Sequence, residues 1–148
     1  MSSVVEQIAA GARSESEVWA RALRDAPAWE PVFGELAPEH LRLGFEPVYE
    51  AYLVHYGEAR LFSAPDGDEA VLLGDYLYAH GLVRIAEAGG VRAVGVMAAL
   101  ISRCAALRAD GRDGDGEAWI GAARELGGSF TDDEARRALD RHSDRVAA

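Results

Sequence analysis

The stretch EAVLLGDYLYAHGLVRIAEAGG, residues 69–90, decides the fold class of this chain. Its apolar residues lie on nearly every side of a helix rather than on one stripe, and its length allows about six helical turns. It ends in Gly89 and Gly90, and glycine is the residue type favoured just beyond a helix C-terminus. The pattern predicts a long central helix that is buried on all sides.

One carboxylate, Asp75, interrupts this segment directly after Gly74. An ionised carboxylate in apolar surroundings is costly unless it accepts hydrogen bonds. A catalytic carboxylate would normally have a second acid nearby, and the sequence places none beside Asp75. We therefore expect a structural role, in which Gly74 lets a neighbouring helix approach closely. Asp75 is then predicted to be buried and bonded to a donor such as an arginine or a helix N-terminus.

Helical periodicity continues on both sides of this segment, and no strand alternation is evident. A helix is predicted from Phe45 to about Phe62, because apolar residues recur at helical spacing: Val48, Tyr49, Tyr52, Leu53 and Tyr56. A further helix has the stripe Val94, Met97, Leu100, Ile101, Cys104 and Leu107. Shorter helices are predicted over residues 117–128 and 131–146, and the proline-containing segment 26–40 is predicted to be an irregular connector. The chain is thus predicted to be an all-α helical bundle, a single domain over residues 1–148.

Two capping boxes are expected at helix starts, since a hydroxyl and a carboxylate three residues apart can satisfy free backbone donors. Ser14 and Glu17 have this spacing, and so do Thr131 and Glu134. The acids that follow Thr131 lie in the first turn of a helix, where they complement the helix dipole.

Charge and cysteine usage narrow the function classes. The chain has 148 residues, a formal net charge of −10 and one cysteine, Cys104. Such a charge disfavours nucleic acid and anionic membrane as partners, and one cysteine excludes an internal disulfide. The N-terminal residues lack the features of a signal peptide, and Asp75 and Arg84 interrupt the longest apolar run. We expect a cytoplasmic protein without membrane insertion, with Cys104 as a buried, inert thiol.

No metal or cofactor site is expected in this chain. The loop over residues 110–117 contains the acids Asp110, Asp113, Asp115 and Glu117, but they do not match the ligand positions of an EF-hand. This loop is therefore predicted to be a solvated linker. The histidines form no zinc-binding or di-iron motif: His40, His55, His80 and His142.

Two consecutive helices resemble a helix pair in trans-isoprenyl diphosphate synthases. In that family a Gly-Asp pair lies within an apolar helix, as Gly74 and Asp75 do here. The segment AYLVHYGEAR, residues 51–60, resembles the preceding helix, in which Leu-Ile-His leads into the aspartate-rich motif Asp-Asp-x-x-Asp. Residues 53–55 match that lead-in. The aspartates do not follow, since their positions are occupied by Tyr56, Gly57 and Arg60.

The resemblance covers residues 45–111 and is strongest to the small, non-catalytic subunits of heterodimeric prenyl diphosphate synthases, which similarly lack aspartate-rich motifs. It implies an accessory subunit that supports a catalytic synthase subunit and influences product chain length. Magnesium would then be held by that partner, and no catalytic residue is expected here. The residues expected to have structural or partner-contact roles are Tyr52, His55, Tyr56, Arg60, Gly74, Asp75, Tyr76 and Tyr78.

The residues alone are also compatible with two other functions. The first is a free-standing helical protein that dimerises and binds an apolar ligand in a pocket lined by Tyr49, Tyr52, Tyr56, Tyr76 and Tyr78. The second is a small metal-dependent enzyme that uses Asp132, Asp133 and Glu134.

Overall fold

The structure is a computed structural model that describes residues 3–64 and 66–146. Within these residues it is an all-α bundle, as predicted, with an isolated backbone bridge between Leu23 and Phe62 as its one β-type contact. The helices are α1 Val4–Glu15, α2 Glu17–Ala22, α3 Arg42–Tyr56, α4 Gly67–Ala109, α5 Asp115–Glu125 and α6 Asp132–Val146. The segment between α2 and α3 is irregular, as predicted, apart from two short 3-10 turns, Gly34–Leu36 and Glu39–Leu41.

One predicted capping box is correct and the other is wrong. The Thr131 hydroxyl accepts from the Glu134 amide at 3.1 Å, and the Glu134 carboxylate accepts from the Thr131 amide at 3.1 Å. Ser14 instead lies inside α1, because a capping box at Ser3 starts that helix earlier. The cap of α2 is Ser16, whose extended backbone lets its hydroxyl accept from the two amides that follow in the first turn.

Helix α3 ends at Tyr56, six residues before the predicted end at Phe62. The end of α6 occupies the space into which α3 would continue. The amide of Glu58 donates to the Arg145 carbonyl at 2.9 Å, and a Cβ at Gly57 would lie 2.7 Å from the same oxygen. The chain therefore turns away at Gly57. Because this turn is caused by a contact with a distant part of the chain, the periodicity of residues 45–62 could not predict it.

Helix α4 is interrupted where the sequence predicted a helix end. Gly90 has φ 74° and ψ −170°, a conformation that glycine adopts at no steric cost, and it divides α4 into two halves. The prediction that the first half is buried on all sides is wrong. Val71, Leu72 and Val83 are 55%, 59% and 56% exposed. The reason is that the first half packs one face, including Leu73 and Leu77, against the rest of the chain and leaves the opposite face open.

The contact between α3 and α4 is unusually close because each helix presents a glycine. A Cβ at Gly44 would lie 2.9 Å from the Gly81 carbonyl oxygen, and a Cβ at Gly81 would lie 2.8 Å from the Gly44 carbonyl oxygen. Neither backbone can move away without separating the helices. This crossing fixes the position of α3, which carries most of the polar groups of the candidate site.

By length and composition, α4 is also apolar enough to cross a membrane, and 33% of its apolar 18-residue window is buried in this fold. The same properties are common in core helices of soluble proteins, so this finding carries little weight by itself. The second half of α4 has the predicted buried stripe, including Met97, Leu100 and Cys104. Burial raises the pKa of the Cys104 thiol to about 12, which keeps it protonated near neutral pH.

Candidate functional site

The tyrosines of α3 fill the core rather than line a pocket. Tyr49 and Tyr52 are 0% and 1% exposed, and their ring centroids lie 6.2 Å apart. Trp119 of α5 packs edge-on against Tyr49 at 5.0 Å and against Tyr52 at 5.8 Å. Tyr76 lies elsewhere, stacked on Trp19 of α2 at 5.9 Å. The predicted pocket of five tyrosines is therefore wrong, because ring-to-ring packing occupies the space that a ligand would need.

Arg60 is a fully buried guanidinium held by two acids of α3. Glu46 and Glu50 are four residues apart, so they share one face of the helix. Arg60 Nε donates to Glu50 Oε1 at 3.0 Å, and its Nη2 lies 2.9 Å from Glu46 Oε2. Another guanidinium nitrogen donates to the Glu30 carbonyl at 3.0 Å, and the group stacks over the Trp29 ring at 3.9 Å. The position that resembles the final aspartate of the family motif is thus part of the core.

The charges of this ion cluster are set by opposing effects. Burial raises the pKa of Glu46, while Arg60 opposes that shift. Burial alone would lower the pKa of Arg60, but Glu46 and Glu50 outweigh it and raise the pKa. The cluster therefore depends on the guanidinium, since without it two carboxylates would face each other in the interior.

Gly74 has the predicted role and Asp75 does not. A Cβ at Gly74 would overlap the imidazole of His55, so glycine lets this α3 side chain lie directly on the α4 backbone. Tyr78 packs edge-on against the same imidazole at 5.3 Å, and Tyr56 does so at 5.8 Å. Asp75 is exposed, so the prediction of a buried, bonded carboxylate is wrong. The reason is that α4 has an open face, and Asp75 lies on it.

Tyr76 and Tyr78 are partly buried contacts of α4 with different surroundings. Burial is the main cause that raises the pKa of both phenols, and the charge of Glu15 adds to the effect at Tyr76. Tyr76 also stacks on His80 at 5.1 Å. Of the predicted residues, the structure therefore groups Tyr52, His55, Tyr56, Gly74 and Tyr78 around the α3–α4 contact.

Asp115, which was predicted to lie in a solvated linker, accepts hydrogen bonds from three side chains. That prediction is wrong for this residue, whose side chain is 15% exposed. Its Oδ2 accepts from the Tyr52 hydroxyl, from Arg108 Nη2 at 3.0 Å and from His142 Nε2 at 3.0 Å. Burial opposes ionisation of Asp115, but His142, Tyr52 and Arg108 outweigh it and hold the pKa of the carboxyl well below its usual range.

Both imidazole nitrogens of His142 have polar partners within the protein. Its Nδ1 lies 2.8 Å from the Tyr49 hydroxyl, and burial raises the pKa of that phenol, which keeps it protonated near neutral pH. The other nitrogen, Nε2, lies 3.0 Å from Asp115 Oδ2 and donates to it. The Asp115 network is a clamp that joins α3, α4, α5 and α6.

A cleft of about 420 Å³ lies against this clamp. Its lining includes Arg108, Arg112, Asp115, His142 and Ser143. Nothing in it assembles a metal site, since no group of three or more His, Cys, Asp or Glu in the part of the chain that the structure describes is placed to hold a cation. The cleft is mixed in charge, with two arginines and three acids among its lining residues.

Two features of the sequence are weak signals of this clamp. His142 falls on the apolar stripe of α6 with Ala138, four residues before it. Asp115 directly follows Gly114, whose φ of 119° starts α5. Neither signal predicts which partners meet, because Tyr49 and His142 are 93 residues apart in the chain.

The open face of α4 carries exposed apolar residues along the first half of that helix. Leu72, Ala79, Val83 and Ala86 are exposed and lie on one narrow stripe, because they are seven, four and three residues apart. We call these four residues, with Asp68, Asp75 and Glu87 beside them, the outer face of α4. All three acids are exposed.

No family model, no curated protein and no solved structure matches this chain.

Proposed function

We propose that this chain is a non-catalytic subunit that packs against a catalytic prenyl diphosphate synthase, supports it and influences its product length. The observation that carries the proposal is the outer face of α4, where Leu72 and Val83 are 59% and 56% exposed on one stripe. Contiguous exposed apolar surface is typical of protein interaction sites. The choice of a prenyl diphosphate synthase as partner rests on the resemblance of residues 45–111.

The surroundings of Arg60 support a scaffold role for the end of α3. In the family that the chain resembles, the corresponding helix supplies aspartates that bind magnesium. Here Arg60 is a buried cation paired with Glu46 and Glu50, and Tyr56 packs on Tyr52 at 5.1 Å. A fixed positive charge opposes the binding of Mg²⁺ at this position.

The alternative function, a free-standing dimer with an apolar ligand among the tyrosines, has less support. Its pocket is occupied by Tyr49, Tyr52 and Trp119 packed against one another. The cleft beside Asp115 has polar and apolar residues in its lining, and none of those tyrosines is among them.

Co-expression with the full-length synthase encoded nearest to this gene tests the proposal. We expect the two chains to co-purify and the synthase to gain activity or change its product length. The double variant Leu72→Ser and Val83→Ser should abolish co-purification. The control Val18→Ser changes an exposed valine of α2 (37% exposed) and should not affect it. Independent purification of the two chains, or magnesium-dependent prenyl transfer by this chain alone, would contradict the proposal.

A further inference from the structure

The charges around the outer face of α4 have one sign. Between residues 66 and 90, all of which the structure describes, every exposed charged residue is an acid: Asp66, Asp68, Asp75 and Glu87. The single arginine of this segment, Arg84, is half-buried and lies on another side of the helix. Within this segment, the exposed charges that border the apolar stripe are therefore all negative.

The stripe has the dimensions of a helix-docking surface. From Leu72 to Ala86 it extends about 21 Å along the helix axis, at 1.5 Å per residue. A partner helix of about four turns would cover it, with apolar anchors at helical spacing. The small side chains of Ala79, between Leu72 and Val83, and of Ala86, beyond Val83, allow a partner helix to approach closely.

The acids beside the stripe determine which kinds of partner can bind the outer face of α4. A second copy of this chain would bring the same acids to the contact, and each copy has a formal net charge of −10. An anionic membrane would be repelled for the same reason. A partner with cations beside its apolar stripe would gain attraction and would be steered toward the site.

We infer that the outer face of α4 docks an apolar helix of the partner protein that is flanked by arginine or lysine. This inference rests on the proposed function in that the helix belongs to the partner subunit. In the docked state, Asp68, Asp75 and Glu87 pair with cations of the partner helix on both sides of the apolar stripe.

Three synthetic helical peptides of about 18 residues test the pairing with the full chain. The first has a leucine stripe flanked by arginines, the second has the same stripe flanked by glutamates, and the third is a scrambled form of the first. Fluorescence anisotropy should show that the first binds about tenfold more tightly than the second, and that salt reduces the difference. The scrambled peptide should bind weakly, because it has the charge without the stripe.

Two triple variants separate a local effect from overall charge. Asp68→Arg, Asp75→Arg and Glu87→Arg should reverse the preference, so that the glutamate-flanked peptide binds more tightly. The matched control, Asp110→Arg, Asp140→Arg and Asp144→Arg, changes three exposed acids elsewhere and has the same net charge. It should keep the preference of the wild-type protein.

Each other outcome decides against the inference. Equal affinities, no binding, or a preference that follows net charge in both triple variants would overturn it. So would a homodimer that is lost in the Leu72→Ser and Val83→Ser variant, or binding to phosphatidylcholine vesicles that depends on the same two residues. If the peptide preference holds but the synthase does not co-purify, the inference stands and the proposed function fails.

Discussion

Arg60 is the residue on which the core ion cluster depends. Arg60→Ala leaves Glu46 and Glu50 buried without their counter-ion, and we expect a loss of about 3–5 kcal/mol in the free energy of unfolding. The control is Arg136→Ala, which removes an arginine whose side chain is 73% exposed and 3.6 Å from Asp133. That change should cost less than about 1 kcal/mol. Urea unfolding of both variants measures the difference, and equal small losses would mean that the cluster contributes little.

Asp115 should make stability depend on pH in the acid range. The pKa of this carboxyl is lowered in the folded protein, so its ionised form stabilises the fold above its unfolded pKa of about 3.9. That contribution is lost as the pH falls below this value. Asp115→Asn should therefore lower stability at pH 7 and reduce the fall in stability between about pH 5 and pH 2.

The comparison uses urea unfolding of wild-type protein and Asp115→Asn at several pH values. Asp113→Asn removes an exposed carboxylate of the same loop and is the control. A pH profile of Asp115→Asn that parallels the wild-type profile would show that the Asp115 clamp does not stabilise the charged form.

Individual residues were predicted well where their neighbours in sequence decide their role. Gly74 was identified as a point of close approach, because a glycine in an apolar helix has few other roles. The partner that approaches, His55, could not be derived from that pattern. Asp75 was misplaced because its burial depends on whether another helix covers that side of α4. Asp115 was missed because its partners come from three other helices, and two of them, Tyr52 and His142, are 63 and 27 residues away in the chain.

At the scale of elements, the crossing of α3 and α4 leaves no room for an added side chain at either glycine. Gly81→Ala would place a Cβ 2.6 Å from Val48 and 2.8 Å from the Gly44 carbonyl oxygen. Since that oxygen is backbone, the helices must separate, and we expect a loss of about 1–3 kcal/mol. Gly95→Ala is the control on the same helix, because its added Cβ meets nothing within 4 Å. It should raise stability by up to about 1 kcal/mol.

Thermal unfolding monitored by circular dichroism distinguishes the two glycine variants. Midpoints that shift in opposite directions would support the close crossing. Equal shifts would contradict it, since helix propensity alone acts on both positions alike.

Helix existence was easier to predict than helix extent. The apolar periodicity predicted α3, both halves of α4, α5 and α6. The consecutive glycines Gly89 and Gly90 predicted the interruption of α4. The end of α3 was placed six residues too late, because the carbonyl of Arg145 stops it from another part of the chain. The open face of α4 was missed for a similar reason. An all-round apolar pattern predicts burial only if enough helices are present to cover every side.

At the scale of the whole molecule, the fold class followed from periodicity, while the function did not follow from any single site. Two polar groups at the centre of the bundle are held by bonded partners, with His142 engaged at both nitrogens and Arg60 enclosed by acids. The outer face of α4, apolar with acidic edges, is left open at the surface. This open face is the observation on which we base the proposal that the chain acts through contact with a partner.

The whole fold also determines whether this chain could carry the aspartate-rich motif of the family that it resembles. The triple variant Tyr56→Asp, Gly57→Asp and Arg60→Asp should not fold. It replaces the guanidinium with a third acid beside Glu46 and Glu50, and it places a Cβ at residue 57 within 2.7 Å of the Arg145 carbonyl oxygen. Circular dichroism should show the loss of a cooperative thermal transition, as expected when buried carboxylates lack a counter-ion.

A matched control for this variant is Ser102→Asp, Arg103→Asp and Ala106→Asp. It introduces three aspartates with the same spacing and the same change in net charge, at exposed positions of α4. This control should fold with a midpoint close to that of the wild-type protein. If the motif variant also folded normally, Arg60 would be dispensable and the end of α3 could have been a magnesium site in this chain. If it fails while the control folds, the core has been built around Arg60, and the fold itself excludes the motif.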